Sequence, residues 1–320
     1  MGCVTYERIT KHRRLLVNRI NPSRRKRNCR TRELVRLRPD CYVPRREWEK
    51  LRAEDRHILR ALAVYEGQER TDAVLSHVSA ALIHGLPVWD IPLDQVHITR
   101  CGVTGARSER TRRVHVTTLA VRHVTTCAGI RVTSAARTVV DIARTVPFEQ
   151  AIVVGDAAMR SGLVTRDALH EVLSDLGGAH GIGEARKAVK FLSERSESVG
   201  ESRSRVLFHA FGLHPQSQVR IIDGSGRFIG RVDFLFAPGV IGEFDGLSKY
   251  GALLRPGESA SDAVVREKLR EDALREAGWI VIRWTWADLR EPERLIARIL
   301  EALDRAAKLP PPRGISMVGD

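Results

Sequence analysis

From residue 201 onward the apolar positions change period in a set order. Helical spacing over 201–211 gives way to strand-type runs near 216–222, 227–236 and 240–245, separated by the turn residues Asp223-Gly224-Ser225-Gly226 and Pro238-Gly239. A loop then leads to a helix over 262–277 that Gly278 stops, a strand from Trp279 to Thr285, and a final helix to about 306. The predicted order is α-β-β-β-α-β-α.

Upstream the pattern is more helical. Trp48, Leu51, Asp55, Ile58, Leu59 and Leu62 predict a helix over 48–64, and Ala73–Ile83 predicts another that ends at Gly85-Leu86-Pro87. Short β-type runs follow at Val96-His97-Ile98-Thr99, Val114-His115-Val116 and Ile130-Arg131-Val132. Thr133 and Ser134 are good N-caps for a helix through Ala143, and further helices are expected over 149–160, 166–175 and 182–196. Residues 1–30 read as irregular, with Asn21-Pro22-Ser23 breaking any helix, while Glu33–Leu37 and Tyr42-Val43-Pro44 suggest a short β-ribbon. A polar joint at Arg195–Gly200 marks a boundary, and the stretch from Pro310 onward is expected to be disordered. The expected organisation is a mixed α/β chain: a basic segment over 1–60, a mainly helical α/β domain over 61–197, an αβββαβ domain over 198–306, and a disordered tail over 307–320.

The 320 residues leave room for two or three domains. No run approaches the ~18 apolar residues of a membrane span, and the start lacks a signal-peptide core, so no membrane partner is expected. Five scattered cysteines without a CxxC pair suit reduced thiols and a cytoplasmic location. Charge changes the picture more. Residues 1–60 hold 19 Lys/Arg against 7 Asp/Glu, so they carry +12 of the net +14. Such a block is the electrostatic footprint of a polyanion binder, DNA first and RNA second, although a solvated basic tail has the same composition.

The candidate chemistry lies in the C-terminal pattern. Asp233 sits in the apolar run Val232–Phe236, and Glu243-Phe244-Asp245-Gly246 follows after a tight connection. Asp233 and Glu243 are therefore expected as cross-strand neighbours, and Glu243 and Asp245 share one strand face. Clustered carboxylates repel unless a cation sits between them, which points to Mg²⁺, with Mn²⁺ as a substitute. The plainer alternative pairs Asp233 with Arg231 or Arg283. Lys249 lies four residues beyond Asp245 and can orient a nucleophile or stabilise developing charge, or be an ordinary surface lysine. Glu201 can reach the metal from the preceding helix, or serve at N3 of a capping box begun by Ser198. Lys268 and Asp272 either face the site or pair with each other on an exposed helix face.

The order α-β-β-β-α-β, with Asp233, Glu243-x-Asp245-Gly246, Lys249, Arg270-Glu271-Asp272 and Gly278–Trp284, resembles the PD-(D/E)XK restriction-endonuclease-like fold, in the branch near the very-short-patch-repair (Vsr-like) endonucleases. The resemblance covers about 198–290. It implies a metal-dependent DNA endonuclease with Asp233 and Glu243 as metal ligands, Asp245 and Glu201 as helpers, and Lys249 standing in for the family's lysine, whose position Asp245 takes. Binding-only members of this fold also exist. Leu34–Pro44 resembles the wing of the winged-helix domain in type IV (AbiE-type) antitoxins, and Leu75–Pro87 and Gly129–Arg144 resemble that family's following domain, over about 31–195. That second resemblance implies a DNA-binding transcriptional regulator, in which the nuclease-like domain is inert and contacts protein or DNA. A protein partner or a second copy of the chain stays open. His77 and His84, seven apart on one expected helix, read as structural because no third ligand stands nearby in sequence.

Overall fold

A computed structural model describes residues 2–18, 33–67, 73–102, 107–108, 110–236, 239–246, 259–313 and 315–318. The fold is mixed α/β, and the chain divides into two compact units, Met1–Glu194 and Arg195–Asp320.

The first unit opens with a helix, α1 (Gly2–Leu15), where the sequence suggested irregular chain. Its helical signal is weak because most of its residues are polar, yet Ile9 is fully enclosed and Arg8 holds Asp55 through Nε at 3.0 Å and Nη2 at 2.6 Å. Strands β1 (Val17–Asn18), β2 (Leu34–Arg38) and β3 (Cys41–Pro44) form an antiparallel sheet in the order β1-β3-β2. The expected helix over 48–64 is two helices, α2 (Arg45–Lys50) and α3 (Ala53–Glu66), because Leu51 and Arg52 are extended between them.

The run Ala73–Ile83 also divides. Ala73–Leu75 is a fully buried strand, β4, and His77–Ile83 is the helix α4. β4 lies in a six-stranded sheet with β5 (Val96–Arg100), β6 (Arg107–Ser108), β7 (Arg112–Val116), β8 (Val124–Cys127) and β9 (Ile130–Thr133), in the order β6-β7-β5-β4-β9-β8. The β5–β7 and β4–β9 pairs are parallel and the others antiparallel. Ile9 and Ile58 share one apolar cluster with Leu75, Ile98, Ile130 and Val132, so residues on both sides of position 60 build the same core.

Helices α5 (Ala135–Ala143), α6 (Phe148–Arg160), α7 (Arg166–Asp175) and α8 (Ile182–Phe191) complete this unit. Ser134 caps α5 by accepting the Arg137 N–H. The polar residues of that segment serve the fold. Buried Arg137 and partly buried Arg144 both hold Asp141, at 2.9 and 3.0 Å, and Thr138 bonds Thr133.

The second unit has the predicted order with boundaries shifted by a residue or two: α9 (Val199–Ala210), β10 (Gln216–Ile222), β11 (Phe228–Leu235), β12 (Val240–Phe244), α10 (Ala260–Glu276), β13 (Ile280–Trp284) and α11 (Pro292–Ala307). A further strand, β14 (Ile315–Val318), pairs with β10, so 315–318 are not the disordered tail the sequence suggested. The sheet runs β13-β12-β11-β10-β14, with only β12–β13 parallel. Alternation along the strands splits the core by face. Phe208, Phe234, Phe244 and Trp284 pack with Leu295, Ile296 and Ile299 of α11, while Val219, Ile221 and Ile241 pack with Leu274 of α10. Helix α9 approaches β12 closely, since a Cβ on Gly200 would lie 2.0 Å from the Phe244 ring. No helix among the described residues is long and apolar enough to cross a membrane.

Candidate functional site on the second sheet

Strand β12, between β13 and β11 in the second unit, carries Glu243, and pairing fixes what surrounds it. Phe234 faces Gly242 and Leu235 faces Ile241; continuing that register by one residue sets Asp233 opposite Glu243, as the sequence suggested. On the other side the parallel register sets Glu243 beside Arg283 of β13.

Two arginines face Glu243, in a network that also holds Glu267 and Glu271. Arg270 of α10 donates through Nη2 to Glu243 Oε1 at 2.6 Å, and Arg283 Nη2 lies 3.1 Å from Glu243 Oε2. The same two arginines bind Glu267, and Arg283 also reaches Glu271 at 3.0 Å. Gly230 on β11 leaves the room for this, because a Cβ there would stand 2.9 Å from Arg270 Cδ. Burial pushes the Glu243 carboxyl above its usual range even though Arg270 and Arg283 pull it down. Burial pushes Glu267 upward too, but its bonds to Arg270 and the two arginine charges hold it lower. For Arg270, burial works against the charge, while Glu267 and Glu243 together raise its pKa.

Two of the other expected ligands, Asp233 and Glu201, are held by hydrogen bonds. Asp233 Oδ2 accepts the Phe244 N–H at 2.9 Å. Glu201, 3% exposed, accepts from Ser198 Oγ through Oε1, and from the Glu197 N–H and Gln218 Nε2 through Oε2 at 2.9 and 2.8 Å. Ser198 Oγ in turn accepts the Glu201 N–H, which is the expected N-cap, with the return bond going to the backbone of Glu197. Asp245 follows the end of β12 and its N–H donates to the Trp284 carbonyl. Lys249 lies outside the described residues. Lys268 and Asp272 are exposed, while Glu267 and Arg270 of the same helix join the ion-pair network at the sheet. Arg231, weighed as a partner of Asp233, binds Glu197 at 2.7 Å instead.

Among the described residues no three carboxylates offer oxygens within 4.8 Å of one another; the group that meets that distance is His77, His97 and His115, in the first unit. A Mg²⁺ site needs oxygen ligands free to face the ion. Here Glu243 is held by two guanidinium groups and Glu201 accepts three hydrogen bonds, so neither of these two is free to face such an ion in this arrangement.

Sequence reasoning passed over the histidine trio. His77 opens α4, His97 lies on β5 and His115 on β7. The parallel register pairs Thr99 with His115, so His97 and His115 sit on one face, offset by two residues. His84 belongs elsewhere, with Nε2 against the Thr133 carbonyl at 2.8 Å. Burial holds His97 down at about 3 and His115 at about 4, with Arg113 adding to both, and holds His77 well below its ordinary value. All three are neutral near pH 7.

No family model matches the chain. Two curated proteins of Mycobacterium tuberculosis, the uncharacterized protein MT2308 of strain CDC 1551 / Oshkosh and the uncharacterized protein Rv2248 of strain ATCC 25618 / H37Rv, are each similar to it at 32% identity over 181 residues, 56% of this chain. The match spans 64% of each of those proteins, less than two thirds of their length.

Proposed function

We propose that this chain is a cytoplasmic, non-catalytic DNA-binding regulator of the antitoxin type, whose nuclease-like second unit binds without cutting. The observation that carries the reading is the commitment of Glu243 to Arg270 and Arg283. A carboxylate that two arginines neutralise does not offer its oxygens to a hard cation, and removing it from them leaves buried charge unpaired. DNA contact is assigned to residues 1–60. Their surplus of positive charge suits phosphate binding, and a helix followed by a sheet in the order β1-β3-β2 supports the winged-helix likeness of this segment.

The test is binding of labelled duplex DNA across a range of salt. Affinity should fall linearly in log–log form with salt, as expected when phosphate contacts release counterions. Affinity independent of salt would refute phosphate contact by this segment, and affinity absent at low salt would refute DNA binding.

A second reading has one observation of its own. Asp233 stands opposite Glu243 in an αβββαβ arrangement, the disposition that the likeness to PD-(D/E)XK endonucleases requires. On that reading the chain is a Mg²⁺-dependent DNA endonuclease and the arginine pairs must be displaced before it acts.

A further inference from the structure

We propose that His77, His97 and His115 form a binding site for one divalent transition-metal ion of the zinc class. The argument rests on where the nitrogens lie. One ring nitrogen from each histidine falls within 4.8 Å of the others. His115 Nε2 and His97 Nδ1 are 3.2 Å apart. Two ligands of a tetrahedral zinc, each about 2.0–2.1 Å from the ion, stand roughly 3.3 Å from one another, so this pair has the right separation. A hydrogen bond now spans it, and the His77 and His115 rings stack at 3.8 Å with 16° between their planes, so binding requires one of these rings to turn and bring its lone pair to the shared ion.

His77 supplies the strongest sign. It is 2% exposed, and its Nε2 is buried without a hydrogen-bond partner. An orphaned buried nitrogen is costly, and a metal ion removes that cost without requiring space for a second polar side chain. The other ring nitrogen is fixed, with Nδ1 3.0 Å from Ser76 Oγ. If Nδ1 carries the proton and donates it to that hydroxyl, the Nε2 lone pair is left for a ligand, the arrangement usual for metal-bound histidine. His77 also has φ of +50°, in the left-handed region that side chains rarely adopt. Strain of this kind persists where surrounding structure enforces it and is a pointer to function.

The donor set selects the ion. Three imidazoles suit Zn²⁺, Co²⁺, Ni²⁺ or Cu²⁺ and are a poor match for Mg²⁺ or Ca²⁺. Three protein ligands leave a fourth position for water or another ligand. The charged surroundings temper the affinity. Asp141 attracts an ion near His115, whereas Arg113, Arg137 and Arg144 repel it. Two of those arginines are bound to Asp141, which offsets part of their charge. Binding is therefore expected to be weaker than at a cysteine-rich structural zinc site. Since the ligands come from β5, β7 and the first turn of α4, one ion would tie the first unit's sheet to its overlying helix.

The experiment uses the full chain without a histidine tag, stripped with chelator and titrated with Co²⁺ by visible absorption, then with Zn²⁺ as competitor, in excess Mg²⁺. The expected result is one Co²⁺ per chain with the visible bands of low-coordinate nitrogen ligation, displaced by Zn²⁺. His97→Ala and His115→Ala should each weaken binding by at least about tenfold, and Zn²⁺ should raise the melting temperature of the wild type but not of these variants. His170→Ala, an exposed position on α7, should behave as wild type. Absence of stoichiometric Co²⁺ in the wild type would overturn the proposal, and so would undiminished affinity in a His97→Ala/His115→Ala double variant. The wild-type titration decides the matter alone if the variants do not fold.

Discussion

Replacing Arg270 alone should destabilise the second unit, and replacing Glu243 together with it should restore most of the loss. In Arg270→Met the Glu243 carboxylate keeps Arg283 at 3.1 Å but loses its 2.6 Å partner while staying 9% exposed. A hydrogen bond to a charged group is worth about 1.5–3 kcal/mol, and stripping a buried ion of its partner costs about 3–5 kcal/mol. Because Arg283 remains, the lower part of that span applies, about 2–3 kcal/mol. The bonds from Arg270 to Glu267 add little, since the Glu267 side chain is 37% exposed and exposed pairs contribute about 0–1 kcal/mol. In Glu243→Met/Arg270→Met neither member is left unpaired, and Arg283 keeps Glu267 and Glu271. Such isosteric apolar replacement is often neutral, so the double variant should lie within about 1 kcal/mol of wild type. The assay is urea unfolding followed by tryptophan fluorescence, to which the buried Trp279 and Trp284 contribute. A loss under about 0.5 kcal/mol in Arg270→Met, as for an exposed pair, would refute the clamp. So would a double variant as unstable as the sum of the single changes.

Three further outcomes are expected. Burial holds His57 down at about 4, with Nδ1 against the Leu93 carbonyl and Nε2 against Ser79 Oγ; its folded value lies below the ordinary 6.5, so its contribution is intact above pH 6.5 and lost as pH falls towards 4. His57→Gln should flatten that loss as read by hydrogen exchange in the first unit, and an unchanged pH slope would contradict this. Gly200→Ala places a methyl 2.0 Å from the Phe244 ring and should cost about 1–3 kcal/mol in thermal or urea unfolding. Replacing Arg24, Arg25, Lys26 and Arg27 with Ala should reduce the log–log salt slope of DNA binding by up to about four units, and an unchanged slope would place the contacts elsewhere.

How much was legible in the sequence depended on whether a signal was local. In the second unit the turn residues Asp223–Gly226 and Pro238-Gly239 bracket the apolar runs in sequence, and alternation between them fixes both the expected strand extent and the facing of Asp233 by Glu243. In the first unit Ala73–Ile83 is mostly apolar and has neither Pro nor Gly, so a three-residue buried strand and a short helix read as one helix; only pairing with β5 and β9 separates them. The division at Leu51-Arg52 likewise has neither Pro nor Gly to announce it. The acid positions on β11 and β12 were visible, but their chemical state was not. Arg270 lies 27 residues from Glu243, on a helix whose facing is set by the packing of Leu274 against the sheet. The histidine trio escaped for the same reason, since His97 and His115 meet only through the parallel β5–β7 register, and His77 joins them from another element.

The claim that Glu243 is committed to arginines is tested most directly by incubating the full chain with supercoiled and single-stranded DNA in Mg²⁺, Mn²⁺ or EDTA, beside Asp233→Ala and Glu243→Ala. The expected result is no nicking or cleavage by any form in any of the three conditions, from protein shown in the same mixtures to bind DNA. Cleavage by the wild type that requires a divalent metal and disappears in both variants would contradict it, and would assign Asp233 and Glu243 to a metal rather than to the fold.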